Sequence, residues 1–279
     1  MKLKLRYKIL IIFILILIGL FLFSRYVDTK GLKVKEYNII NETIPQNFYG
    51  FKILHISDLY YKSTTDKKDL KKITDKVKLI KPDIIVFTGD IFDKNIKYSD
   101  SDYKDLTNFF KSLNANIDKF IIKGDNDTSD KWENIINDSG FTNLNDTYKL
   151  VYYKGNDPIL FIGISSNYKD NHIKDTFNKL DIKDNYKYSI ILMHEADYIE
   201  DIEYTKYNLI LAGHSLNGQI KLPFIGGVIK NKGAITYNDN YYDLDNTKIY
   251  VSSGIGTNSK YKFRLFNMPS INLYRLRNK

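Results

Sequence analysis

At 279 residues and 43% hydrophobic composition, the chain is long enough to bury one large core or two small ones. It contains no cysteine, which excludes disulfides, thiolate metal sites and cysteine nucleophiles. The formal charge of +9 is concentrated at one end: residues 1–35 hold eight Lys/Arg and one Asp, whereas the remainder holds 34 basic and 32 acidic residues. That balance argues against a dedicated nucleic-acid binder, which carries a net basic domain or stripe. The positive tail suits anionic lipid.

In chain order, residues 1–8 form a basic segment with Lys2, Lys4, Arg6 and Lys8, and residues 9–24 an apolar run that predicts a transmembrane signal anchor. At ~1.5 Å rise per residue the run is short for a ~30 Å hydrocarbon core, but Lys8 and Arg25 can snorkel to the interface. No small-x-small site follows the run, so an uncleaved anchor is expected, with a cleaved signal peptide as the alternative. The basic N-terminus favours an inside position for itself and an extracytoplasmic position for the rest.

Residues 25–50 read as a linker with one docking strand, Leu32 to Ile40, where apolar and charged residues alternate. From Phe51 onward a βαβαβ rhythm follows: strand Phe51 to Ser57, helix Lys67 to Ile80 stopped at Pro82, strand Ile84 to Phe87, helix Asp102 to Leu113, strand Lys119 to Ile122. Tyr148 to Tyr153 and Ile159 to Ile164 predict a hairpin, followed by strands Ser189 to Met193 and Asn208 to Ala212. Short strands are expected at Ile220 to Leu222, Lys232 to Tyr237, Tyr241 to Leu244, Ile249 to Val251 and Ile271 to Arg277, with Gly226-Gly227 as a turn. No internal repeat or linker interrupts residues 51–279, so a single domain is expected there, α/β in class, with its sites beyond the carboxyl ends of the strands.

Five strand ends carry polar clusters: Ser57-Asp58-Leu59-Tyr60, Gly89-Asp90-Ile91-Phe92-Asp93, Gly124-Asp125-Asn126-Asp127, Met193-His194-Glu195 and Gly213-His214-Ser215-Leu216. Singly, an Asp after a strand is more often a turn former or helix cap than a ligand, above all for Asp83, Asp93 and Asp127. His55, inside an apolar strand, reads as a core histidine, His172 as exposed, and Trp132 has no evident partner.

Together and in this order the clusters resemble the calcineurin-like metallophosphoesterase superfamily, whose pattern is Asp-x-His, Gly-Asp-x-x-Asp, Gly-Asn-His-Asp, a lone His, then Gly-His-x-His. Gly218-Gln219, the stretch Val251 to Thr257 and Arg264 to Asn267 are similar to membrane-associated bacterial members of that family. The resemblance implies a four-layer α/β/β/α sandwich of two mixed sheets over residues 51–279, a metallophosphoesterase-like domain. It places one metal on Asp58, position 60, Asp90 and position 216, and the other on Asp90 as bridge with Asp125, His194 and His214.

The chain departs from that pattern. Position 60 is Tyr and position 216 is Leu where the family has His; Asn126 stands at the usual general-acid position, and Asp125 replaces an Asn. No catalytic residue is therefore assigned, and Asn126 is left as a substrate-binding position. A tetrad of Asp90, Asp125, His194 and His214 suits one divalent ion, Mn, Fe or Zn, with the second ion's site left incomplete. Asp58 is then either a supporting carboxylate or part of a weak second site completed by water or a Tyr60 phenolate. Loss of the acid removes a contribution of typically ~10² to 10⁴, so hydrolysis is expected to be slow or restricted to good leaving groups. The implied activity is membrane-anchored hydrolysis of a phosphate mono- or diester, with a lipid-linked ester favoured by the tether. The alternative is an impaired pseudophosphoesterase that binds a phosphate-bearing ligand or protein partner at the membrane.

Overall fold

A computed structural model describes residues 4–166, 172–182 and 185–279. Lys2, named above, lies outside the described residues. The chain opens with α1 (Leu5–Tyr26), a helix long and apolar enough to cross a membrane by length and composition. Then come β1 (Lys33–Ile40), β2 (Lys52–Ile56), α2 (Lys67–Ile80), β3 (Ile84–Thr88), α3 (Asp100–Ser112), β4 (Asp118–Ile122), α4 (Trp132–Ser139), β5 (Thr142–Asn143), β6 (Thr147–Val151) and β7 (Ile159–Gly163). After α5 (His172–Lys179) follow β8 (Tyr188–Met193), β9 (Leu209–Ala212), β10 (Lys221–Leu222), β11 (Gly226–Gly227), β12 (Tyr241–Leu244), β13 (Thr247–Val251) and β14 (Ser270–Arg277).

Two six-stranded mixed sheets carry the domain, ordered β1-β14-β2-β3-β4-β5 and β12-β13-β9-β8-β7-β6. Their central strands β3, β7, β8 and β9 are buried on both faces because both faces are covered. In β3, Ile84 and Val86 point between the sheets, while Ile85 and Phe87 point outward beneath α2, α3 and α4. In β8, Ile190 and Leu192 face that same interlayer, and Ile191 and Met193 face an outer layer holding α5 and the turn at Ala196 and Ile199. The result is the four-layer α/β/β/α sandwich. Adjacent side chains feed different cores and those two apart feed the same one, which is why unbroken apolar runs form strands here and not helices.

α2 is stopped at both ends by local chemistry. Asp66 and Asp69 form a reciprocal capping box at its start, and Lys81, at φ 50°, closes it before Pro82. The docking strand is integral: β1 pairs in parallel with β14 along its whole length, Lys33 to Ser270 through Ile40 to Arg277.

Four expectations change. Lys232 to Tyr237 is not a strand, because the backbone N–H groups of Ile235, Thr236 and Tyr237 all donate to the single carboxylate of Asp197 and leave no ladder. Gly226 and Gly227 are not a turn but the strand that pairs with β10. Trp132 opens a helix that the sequence did not signal, since Lys131 offers no side-chain cap. Its indole is fully buried beneath the Lys123 ammonium, 4.7 Å from the ring centroid. His172 is mostly covered, with its Nε2 3.3 Å from Asp146 Oδ1.

Candidate metal centre

The five polar clusters lie at the carboxyl ends of β2, β3, β4, β8 and β9, adjacent central strands of the two facing sheets. Asp90, Asp125, His194 and His214 each place one donor atom within 4.8 Å of all the others. His194 Nε2 stands 3.2 Å from Asp90 Oδ2 and 3.6 Å from Asp125 Oδ1, and His214 Nδ1 stands 3.3 Å from Asp125 Oδ1.

Backbone carbonyls set both rings. His194 Nδ1 lies 2.6 Å from Thr88 O, and His214 Nε2 lies 2.9 Å from Lys232 O. A carbonyl only accepts, so those nitrogens carry the hydrogen and the opposite nitrogens present lone pairs to the cluster when the rings are neutral. Those inward nitrogens, His194 Nε2 and His214 Nδ1, are buried without a hydrogen-bond partner. Two orphaned imidazole nitrogens facing two carboxylates are the donor set a divalent ion takes, and outer carbonyls of this kind orient ligating histidines.

The charges agree. Burial would depress the His194 imidazolium, but Asp90 and Asp125 reverse this and hold it well above the usual histidine range. Burial opposes ionisation of Asp125, yet the close His194 and His214 rings hold its carboxyl well below the usual range. Asp127 is a clamp rather than a ligand: its carboxylate accepts from the N–H of Asp90 (2.9 Å), Ile91 (2.8 Å) and Gly124 (2.9 Å), fastening two site loops together. Asp83 likewise ties strand starts, accepting from Lys52 N at 2.8 Å, and Asp93 makes a turn with Asn95. His55 is a core histidine, buried against Thr88 Oγ1 at 2.7 Å.

Asp58 falls outside the four-atom group. Its carboxylate accepts from Ser57 Oγ at 2.5 Å and from His214 N at 3.1 and 3.2 Å, so it supports the His214 loop from behind. Burial raises its pKa to about 6, against the pull of His194. Behind it sits the fully buried Arg264, donating to Gly256 O at 2.7 Å and Asn267 O at 3.3 Å; burial lowers its guanidinium to about 10, against the pull of Asp58 and Asp28. Tyr60 donates its hydroxyl to Asp90 Oδ2 at 2.6 Å, and Asn126 Nδ2 donates to the same oxygen at 2.8 Å and to Asp125 Oδ1 at 3.0 Å. Burial and the surrounding carboxylates push the Tyr60 phenol well above its usual value, so it is a donor here and not a phenolate. Leu216 is buried against the loop at Gly254, next to Asp58.

The backbone records the same crowding. Asp58, Tyr60, Asp90, His214, Leu216, Asn217 and Gln219 all have φ between 44° and 64°, a concentration of left-handed residues typical of functional sites. Gly124 leaves room for Asp90: a Cβ there would collide with the Asp90 carboxylate. One residue the sequence did not single out reaches the site. Lys94, half-exposed, donates to Asp125 Oδ2 at 3.2 Å, and its signal was only its place right after the Gly-Asp-x-x-Asp cluster.

Known proteins resemble this chain. A profile of the calcineurin-like phosphoesterase family matches residues 51–246. The metallophosphoesterase YkuE of Bacillus subtilis is 28% identical over 260 residues, covering 91% of this chain and 89% of that protein. A UDP-2,3-diacylglucosamine pyrophosphatase, LpxG of Chlamydia muridarum, is 40% identical over 87 residues, 30% of this chain and 26% of that one. Among solved structures, a dimetal phosphatase from Danio rerio aligns with a TM-score of 0.44 at 10% identity, over 74% of this chain and 88% of that one. With the family pattern running through both sheets and every strand end that builds the cluster, this chain belongs to the calcineurin-like phosphoesterase family.

Proposed function

We propose that this protein is a membrane-anchored, metal-dependent phosphoesterase that hydrolyses a phosphate mono- or diester with one divalent ion, Mn, Fe or Zn, held by Asp90, Asp125, His194 and His214. The observation that carries the reading is the pair of buried imidazole nitrogens facing two carboxylates, all four donor atoms within 4.8 Å. Bound there, the ion would supply Lewis acidity to the phosphoryl group and to an attacking water. The chain's own part is to orient both imidazoles through Thr88 O and Lys232 O and to hold Asp90 through Asn126 N at 2.8 Å. Lys94, on the open side of Asp125, is placed to meet phosphate charge.

The apolar helix α1, with Arg25 in its last turn, supports the tether, and the basic N-terminus supports an extracytoplasmic domain. A lipid-linked or cell-envelope phosphate ester is the substrate class that fits a tethered site. The name of the partial relative LpxG, a UDP-2,3-diacylglucosamine pyrophosphatase, supports that class.

The test is metal analysis of the purified full-length chain in detergent, with p-nitrophenyl phosphate and bis-p-nitrophenyl phosphate under Mn. One ion per chain and nitrophenolate release abolished by His214→Ala are expected. A chain that binds no metal would overturn the ligand assignment. A second reading, a phosphate-binding pseudoenzyme, is favoured by one observation: Tyr60 and Asn126 both donate to Asp90 Oδ2, occupying the side on which a second ion would sit. Metal bound without turnover on both esters selects it.

A further inference from the structure

The foot of α1 does not hang free of the domain. Arg264 N donates to Ser24 O at 3.1 Å, and Phe266 N donates to Asp28 Oδ2 at 2.5 Å, so residues 264–266 form the shelf on which the helix ends. The same shelf holds a second element: Lys221 N donates to Leu265 O at 2.9 Å, starting the β10–β11 hairpin directly beside the helix foot. At the tip of that hairpin, Phe224 is fully exposed and Ile225 73% exposed, with Val228 and Phe266 also open to solvent. An aromatic and a β-branched side chain held out on a tight hairpin gain nothing from water, and a patch of this kind marks a binding surface. The charge around it is largely basic, with Asp239, paired to Lys221 Nζ, and Asp28, holding Phe266 N, as the carboxylates beside it. Residues 220–238 contain Lys221, Lys230 and Lys232 and no carboxylate, and residues 246–279, which include Lys260 and Lys262, contain none either.

We propose that the β10–β11 hairpin is a second membrane contact, its Phe224-Ile225 tip inserted into the interface of an anionic bilayer beside the α1 foot. Apolar tip plus basic flank is the composition of an interfacial element, the tip burying area and the lysines meeting lipid phosphates. Continuity with α1 through residues 264–266 selects a bilayer over a soluble partner, because a spanning helix brings the lipid surface to that shelf. This deepens the proposed function and rests on its membrane anchor. The hairpin is also wired to the metal centre: Val228 N donates to Ile220 O, Gly227 lies against Gly218, and the segment leaving the hairpin brings Lys232 O to His214 Nε2. Insertion would therefore tie the His214 loop to an element held at the lipid headgroups.

The cysteine-free chain makes the test direct. Full-length protein with a single cysteine replacing Phe224, Leu15 or Leu79 is labelled with an environment-sensitive fluorophore and reconstituted in phosphatidylcholine vesicles containing phosphatidylglycerol and nitroxide-bearing lipid. Leu79, 79% exposed at the far end of α2, serves as the aqueous reference. The expected result is a blue-shifted emission at 224, quenched several-fold more than at 79, together with strong quenching at 15. Quenching at 15 with a water-like, unquenched label at 224 would overturn the hairpin contact and leave the anchor standing. A blue-shifted but unquenched label at 224 would assign the tip to a second copy of the chain and overturn it equally. No quenching at either 15 or 224 would overturn the anchor itself.

Discussion

Lys35 shows how much one residue can depend on distant neighbours. It sits on β1, where its Nζ donates to Ser253 Oγ at 2.7 Å and Asn240 Oδ1 at 3.3 Å, and burial, then repulsion from Lys221 and Arg264, lowers its ammonium to about 8. The unfolded lysine keeps a value near 10.5, so between pH 8 and 10.5 the unfolded chain binds more protons than the folded one. Stability due to this group therefore rises with pH across that window, and below pH 8 the full penalty of the buried charge is present. Relative to Lys35→Met, the wild type is expected to gain on the order of 1–2 kcal/mol between pH 8 and 10, discounted from the full shift because the group is partly solvated. Urea unfolding of both proteins at the two pH values checks this, and a pH-independent difference refutes it. At this scale the sequence exposed the residue types at every candidate ligand position, because a Gly-Asp or Gly-His pair after an apolar run is a local signal. It did not expose Tyr60 on Asp90, Lys94 on Asp125, or the carbonyls behind the two histidines, which come from chain segments 30, 31, 106 and 18 positions away.

At the scale of elements, the close pair Gly218 and Gly227 holds the β10–β11 hairpin on the His214 loop. Gly218 has φ 78°, and a Cβ there would collide with Gly227 Cα, backbone that cannot rotate aside. Gly218→Ala is expected to cost about 2–4 kcal/mol from combined strain and overpacking. Gly50→Ala is the control, with a similar φ of 80° but nothing within 4 Å, and is expected to lose only the conformational part. Thermal melts of the two variants separate the terms, and equal melting shifts would refute the clash. Strands β2, β3, β4, β8 and β9 were legible because their apolar runs end in Gly, Asp and His turns, and α2 because its capping box and Pro82 are local punctuation. Lys232 to Tyr237 was misread because its apolar content mimics a strand, while its N–H groups go to Asp197, about forty residues earlier. The Trp132 helix was missed because it is eight residues long and lacks a side-chain cap, so packing and not local signal makes it.

For the whole molecule, the proposed ion joins the two sheets: Asp90 and Asp125 follow strands of one, His194 and His214 follow strands of the other. An ion there binds only the folded chain, and at 100 times its Kd it adds ~2.7 kcal/mol of stability. For a domain of this size that corresponds to a rise in Tm of roughly 5–10 °C. Saturating Mn is expected to produce such a rise in the wild type and none in Asp125→Ala or His214→Ala, followed by scanning calorimetry in detergent. A shift that persists in both variants would place the ion elsewhere. The sequence alone determined the apolar N-terminal helix, the α/β class and the residue types at five strand ends, because hydrophobic period and turn chemistry act over a few neighbouring residues. Only the tertiary structure decided that four of those side chains share one point, that Asp58 stands behind it, and that residues 264–266 join the α1 foot to the exposed hairpin. Those contacts link positions up to 238 residues apart, and strand order and sheet packing, which no local pattern encodes, bring them together.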